Sequence, residues 1–191
     1  MGYNLLGSSM FVRLGRYIES CQGFPVRIDV NKRGKQMYHN CTGGATVKLC
    51  VQKIKHNKSL FQKARVFLMV GLNDVLKGTR SDYAARDFKI LLRMLQEREC
   101  NVVVMLLPPV PRFQPGSRQE LYREWLNCHM QSTAESMNMR VINADTIFRR
   151  WDGSVKSEFF ERFMGAERRP DNIHWNEKGM KALVHFLKKC L

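Results

Sequence analysis

The sequence predicts a three-layer α/β/α domain on a five-stranded parallel sheet. Three observations lead there. The runs RVFLMVG (65–71) and NVVVMLLPP (101–109) are apolar without alternation, as strands buried on both faces are. Amphipathic stretches of helical length separate the apolar runs. Strand-like and helix-like segments alternate along the chain, a pattern that closes as a parallel sheet covered on both faces.

Each element follows from its own residues. YNLLG (3–7) reads as the first strand, and 9–21 as a helix with Met10, Leu14, Tyr17 and Ile18 near one face. PVRIDV (25–30) alternates: Val26, Ile28 and Val30 point one way, Arg27 and Asp29 the other. It reads as a second strand with one wet face, near an edge. Residues 45–57 carry Val47, Cys50, Val51 and Ile54 at helical spacing, and 81–99 carry Phe88, Leu91, Leu92 and Leu95. Residues 117–137 read as a helix capped by Ser117, MRVIN (139–143) as the fifth strand, and 176–190 as a closing helix. The least regular segments are 31–44, 108–117 and 144–175. In such a fold the segments after the strands' carboxyl ends build the site, here 7–9, 31–44, 71–80, 108–117 and 144–175.

The chain has 191 residues, enough for one domain with a full core. It is read as a single domain over 1–191, cut from a longer protein. No apolar run has the length of a membrane span, and no secretory leader is read at the N-terminus. The six cysteines form no C-x-x-C pair and read as reduced thiols of an intracellular protein. The charge is the unusual quantity: 32 Lys and Arg against 17 Asp and Glu, a formal +15 with a pI near 9.9. Excess of this size points to polyanionic partners, above all nucleic acid.

Four strand-end segments hold residues suited to chemistry: Gly7-Ser8-Ser9, Gly43-Gly44, Gly71-Leu72-Asn73-Asp74 and Asp171-Asn172-Ile173-His174. Together they compose an acyl-transfer site. Ser9 would attack an ester carbonyl, His174 would take its proton, and Asp171 would orient the imidazole. The Ser9 amide, a glycine amide from 43–44 and the Asn73 carboxamide would donate to the oxyanion. Singly each has a plainer reading: Ser9 as a helix cap, the glycines and Asn73-Asp74 as turn residues, His174 as a structural hydrogen-bonder.

These stretches resemble the four blocks of the SGNH (GDSL-type) hydrolase superfamily: LLGSSM the first, TGGA the second, VGLND the third and DNIHWNEKG the last, with LLPPVPR also typical. The resemblance spans nearly the whole chain. It implies a flavodoxin-like strand order, with Ser9 as nucleophile, Gly43 or Gly44 and Asn73 as oxyanion donors, and Asp171–His174 as the charge pair. It implies no metal and no organic cofactor. One departure stands out: the usual Gly-Asp-Ser is here Gly7-Ser8-Ser9. Loss of that carboxylate is expected to let Ser9 turn from His174 and leave the fold inactive. The alternative is a working serine esterase or lipase-like hydrolase.

The cations cluster. From 27 to 65 there are ten Lys and Arg and one acid, Asp29. Arg27, Lys32, Arg33, Lys35, Lys53, Lys55 and Lys58, with Arg162, Arg168 and Arg169 beside the last block, are the expected RNA contacts, helped by Tyr38 and His39 as stacking surfaces. Such a set suits single-stranded or looped RNA. A basic, degenerate member of this superfamily also resembles its non-enzymatic, messenger-RNA-binding branch in insect germ plasm. That likeness implies mRNA and other germ-plasm proteins as partners and a cytoplasmic, granule-associated location. A monomer is the expected state. A third reading makes the basic face a scaffold for acidic proteins.

Overall fold

A computed structural model describes residues 2–20, 29–30, 36–37, 40–165 and 168–191. In chain order the elements are β1 (Asn4–Gly7), α1 (Ser9–Ser20), β2 (Asp29–Val30), β3 (Gln36–Met37), α2 (Val47–His56), β4 (Arg65–Met69), α3 (Leu72–Lys77), α4 (Ser81–Gln96), β5 (Asn101–Met105), α5 (Arg118–Ser136), β6 (Arg140–Ile142), α6 (Asp145–Phe148), a 3-10 turn (Ser157–Phe159), β7 (Phe163–Met164), β8 (Arg169–Pro170) and α7 (Glu177–Cys190).

The fold is α/β, as expected. The main sheet runs β1-β4-β5-β6 with every pair parallel. Val66–Met69 and Val102–Met105 are buried throughout, so both faces of the central strands are covered. Helix α1 packs on α7, while α2, α4 and α5 pack on one another, giving the two helical layers.

Among the described residues the parallel sheet has four strands, not five. Of the expected second strand, 25–28 lie outside the described residues. Asp29–Val30 pairs antiparallel with Gln36–Met37, an arrangement that a short link permits and a parallel pair does not. The outer edge of β1 is instead met by 40–42. The Asn40 amide donates to the Leu5 carbonyl (2.9 Å) and the Thr42 amide to that of Gly7 (3.1 Å), two residues apart on both segments. This is parallel pairing, and it satisfies backbone groups that an open edge would leave bare.

The carboxyl end of β5 is tied to α5. Asn127 gives its amide to the Leu107 carbonyl and accepts from the Leu107 N–H, at 2.9 and 2.8 Å. Buried Arg123 donates to the same carbonyl at 2.7 Å and forks onto Glu120. The loop toward Pro108-Pro109 therefore leaves the sheet from a fixed point.

Candidate active site

Ser9 is the first residue of α1, directly after the β1 turn. The turn is set by packing. A Cβ on Gly7 would lie 2.2 Å from the Met69 carbonyl, so only glycine lets β1 close on β4 there. Ser8 is 2% exposed, and its carbonyl accepts from Val12 in the first turn of α1. The nucleophile turn is thus held by the sheet and the helix, not by a carboxylate. The expected rotation of Ser9 away from the histidine does not occur. Ser9 Oγ lies 2.8 Å from His174 Nε2.

The histidine is held from its other side. His174 Nδ1 is 2.9 Å from both Asp171 oxygens. Asp171 Oδ1 also accepts from the Ile173 and His174 amides, each at 3.2 Å, which fixes a tight turn before α7. A carboxylate only accepts, so Nδ1 carries the proton and Nε2 is left as acceptor for the Ser9 hydroxyl. Asp171 is buried and His174 largely so. The Glu161 amide donates to the His174 carbonyl and the Asn172 amide to that of Glu161, binding this block to the segment before it.

The oxyanion candidates approach from the other strand ends. Asn73 sits in α3, a short helix the sequence reading left as loop, and its Nδ2 donates to the Ala45 carbonyl at 3.0 Å. That bond uses one of two N–H groups and ties the third block to the second. Gly44 adopts φ +71°, and its carbonyl accepts from Lys77 Nζ at 3.0 Å. Among the described residues no backbone carbonyl accepts from the Gly43 or Gly44 amide. The Ser9 amide is at a helix start, where no intrahelical partner exists.

One residue of the site was not anticipated. Arg13, four residues after Ser9 on the same helix face, brings Nη2 to 3.9 Å from Asp171 Oδ2. The i,i+4 spacing from Ser9 was the available signal. Asp74 is 1% exposed and accepts from the Val47 amide at 3.0 Å, closing the first turn of α2 beside the Thr46 cap. Burial pushes its carboxyl up to about 6.

Among the described residues the expected RNA contacts are not gathered into one surface. Arg27, Lys32, Arg33 and Lys35 lie outside the described residues, as do Tyr38 and His39. Lys55 and Lys58 are exposed at the end of α2. A crossover helix runs back along the sheet, so that end lies by the strands' amino ends. There Arg98, three residues before β5, donates to the Ile54, Asn57 and Leu60 carbonyls. Arg162, Arg168 and Arg169 are exposed at the opposite end, beside the His174 block, with Arg168 over the Phe163 ring. Lys53 is half-buried: it donates to the Asn40 carbonyl, and burial lowers its ammonium despite the nearby Cys41 and Cys50 thiols. It faces inward and is not a free phosphate contact.

The model of the GDSL-like lipase/acylhydrolase family matches residues 6–182. The chain belongs to that family. No curated protein matches it in sequence. Among solved structures it is similar to the OSK domain of Drosophila Oskar, at 17% identity over 99% of this chain and 88% of that one, TM-score 0.79. It is also similar to a GDSL-like lipase from Bacteroides thetaiotaomicron, at 12% identity over 98% and 86%, TM-score 0.72. An acetylxylan esterase from Geobacillus stearothermophilus aligns at 13% identity over 99% and 95%, TM-score 0.67. At these identities the likeness gives the fold. Among the described residues no helix of this GDSL-like chain is long and apolar enough to cross a membrane.

Proposed function

We propose that the chain is a serine hydrolase of carboxylic esters. The observation that carries this is the continuous relay from Ser9 Oγ through His174 to Asp171, at 2.8 and 2.9 Å. Ser9 Oγ attacks the ester carbonyl while His174 Nε2 accepts its proton, and Asp171 stabilises the imidazolium. The oxyanion takes hydrogen bonds from the Ser9 amide, the Gly44 amide and the free N–H of Asn73. Collapse of the tetrahedral species breaks the ester C–O bond, and the alcohol leaves with the proton from His174. Water then repeats the sequence on the acyl-Ser9, releasing the acid and restoring the hydroxyl. A fluorophosphonate probe on the purified protein tests this. The expected result is one labelled site, lost in Ser9→Ala. A folded protein that takes no label overturns the reading.

A second reading is favoured by a separate observation, the net charge of +15. It makes the chain an RNA-binding domain, with messenger RNA and germ-plasm proteins as partners in a cytoplasmic granule. The fold likeness to the OSK domain supports it. One chain can serve both readings.

A further inference from the structure

A groove of about 700 Å³ lies between the α3–α4 link and the first turns of α5, away from the relay residues. Its walls carry Lys77, Arg80 and Arg118 together with Leu121, Tyr122 and Trp125. The single acid in its lining, Asp82, is already forked by Arg80 at 2.8 and 3.2 Å. Arg118 is exposed and makes no ion pair among the described residues. Arg80 and Arg86 both lie over the Tyr83 ring, and Arg86 is paired with Asp87 at 3.0 Å.

The apolar part is unusual for a helix facing water. Leu121 is 58% exposed and Trp125 37%. The indole stacks on His129 at 3.9 Å between centroids, so its plane is fixed. Tyr122 lines the groove, and its hydroxyl is buried behind the wall with no hydrogen-bond partner. Burial, reinforced by Asp74 and Asp82, pushes that phenol up to about 12, so it keeps a proton to donate.

We infer that this groove docks single-stranded RNA, with a base lying on Trp125 and phosphates against Lys77, Arg80 and Arg118. The inference rests on the nucleic-acid reading and gives it a location other than the residues expected from sequence. Three cations against one acid leave the lining with an excess of two positive charges, which fits a polyanion. A flat, prepositioned ring fits a splayed base, which duplexes do not offer.

The test is anisotropy of a short fluorescein-labelled poly(U) on the whole chain, across a salt series. Trp125→Ala is expected to weaken binding about tenfold, with part recovered in Trp125→Phe. Joint Arg80→Gln and Arg118→Gln should lower the slope of log affinity against log salt by about 1.4. Lys55→Gln with Lys58→Gln should leave both quantities near wild type, and circular dichroism verifies each fold. If wild type binds poly(U) and the groove variants bind equally well, the groove is wrong and the RNA reading stands. If wild type binds no poly(U) at low salt, both fall. Capture of polyglutamate in its place would assign the groove to an acidic polypeptide and overturn the inference.

Discussion

Two buried carboxylates stand at the carboxyl end of the same sheet, and their partners divide their roles. Glu120 receives Arg123 through two hydrogen bonds and Arg149 through a third at 2.6 Å. Burial alone would raise its carboxyl, but the two guanidiniums hold it below the usual range. Those cations never lose their charge, and Arg123 Nη1 donates to the Leu107 carbonyl. Nothing in that cluster is left to react. Asp171 is equally buried, but its close partner is an imidazole that can gain or lose a proton. The chain of bonds from Asp171 ends on a hydroxyl with a proton to give. Burial and charge pairing are common to both clusters. The titratable middle member and the nucleophile at its end set the second apart.

The contrast breaks most sharply at Asp171. Asp171→Asn keeps an oxygen for the Ile173 and His174 amides, so the turn survives. It places an amide against Nδ1, which forces the tautomer with its proton facing Ser9. Ester turnover should fall by about 10³–10⁴-fold with little change in Tm. Equal turnover in mutant and wild type would remove the relay from the mechanism.

The reverse dissociation is expected at Arg123. Arg123→Met leaves Glu120 buried with Arg149 alone and the Leu107 carbonyl with only Asn127 as donor. The cost should be about 3 kcal/mol or more, a fall in Tm of about 6–12 °C in a chain this size. Labelling of Ser9 per folded molecule should persist. If Arg123→Met abolished labelling at a temperature where the fold is intact, the two clusters would be one unit.

Much of this was written in the sequence, and what was not has a physical cause. Val66–Met69 and Val102–Met105 announced buried strands because both faces are covered, and Ser117 does cap α5, accepting from the Glu120 amide. The four blocks put Ser9, Asn73, Asp171 and His174 at strand ends, as the topology requires. Short elements were not legible. The β7–β8 pair has two residues a side, and α3 follows its strand with no break in the pattern. Lys53 reads like its neighbours in composition, yet it lies half-buried through a non-local bond to Asn40. Trp125 is a bulky aromatic on α5. It is exposed because Arg123 and Leu126 are the buried positions of that turn of α5.

Asp74 sharpens the comparison from a third side, because it is a buried carboxylate that makes no ion pair among the described residues. It lies within one residue of Asn73, accepts the Val47 amide, and burial pushes it up to about 6 against an ordinary 3.8. Between those values the native state holds a proton that the unfolded chain has released. Stability from this group is therefore greatest below about pH 4, is lost as pH rises to about 6, and is flat beyond. The shift corresponds to about 2–3 kcal/mol. Asp74→Asn retains an oxygen for Val47 and removes the titration. The difference in unfolding free energy between mutant and wild type should therefore grow in the mutant's favour from about pH 4 to 6. Chemical denaturation at those two pH values measures it. A difference that stays constant would mean that Asp74 is solvated and charged like a surface acid. In that case the bracing of α2 against the third block would rest on Asn73 alone.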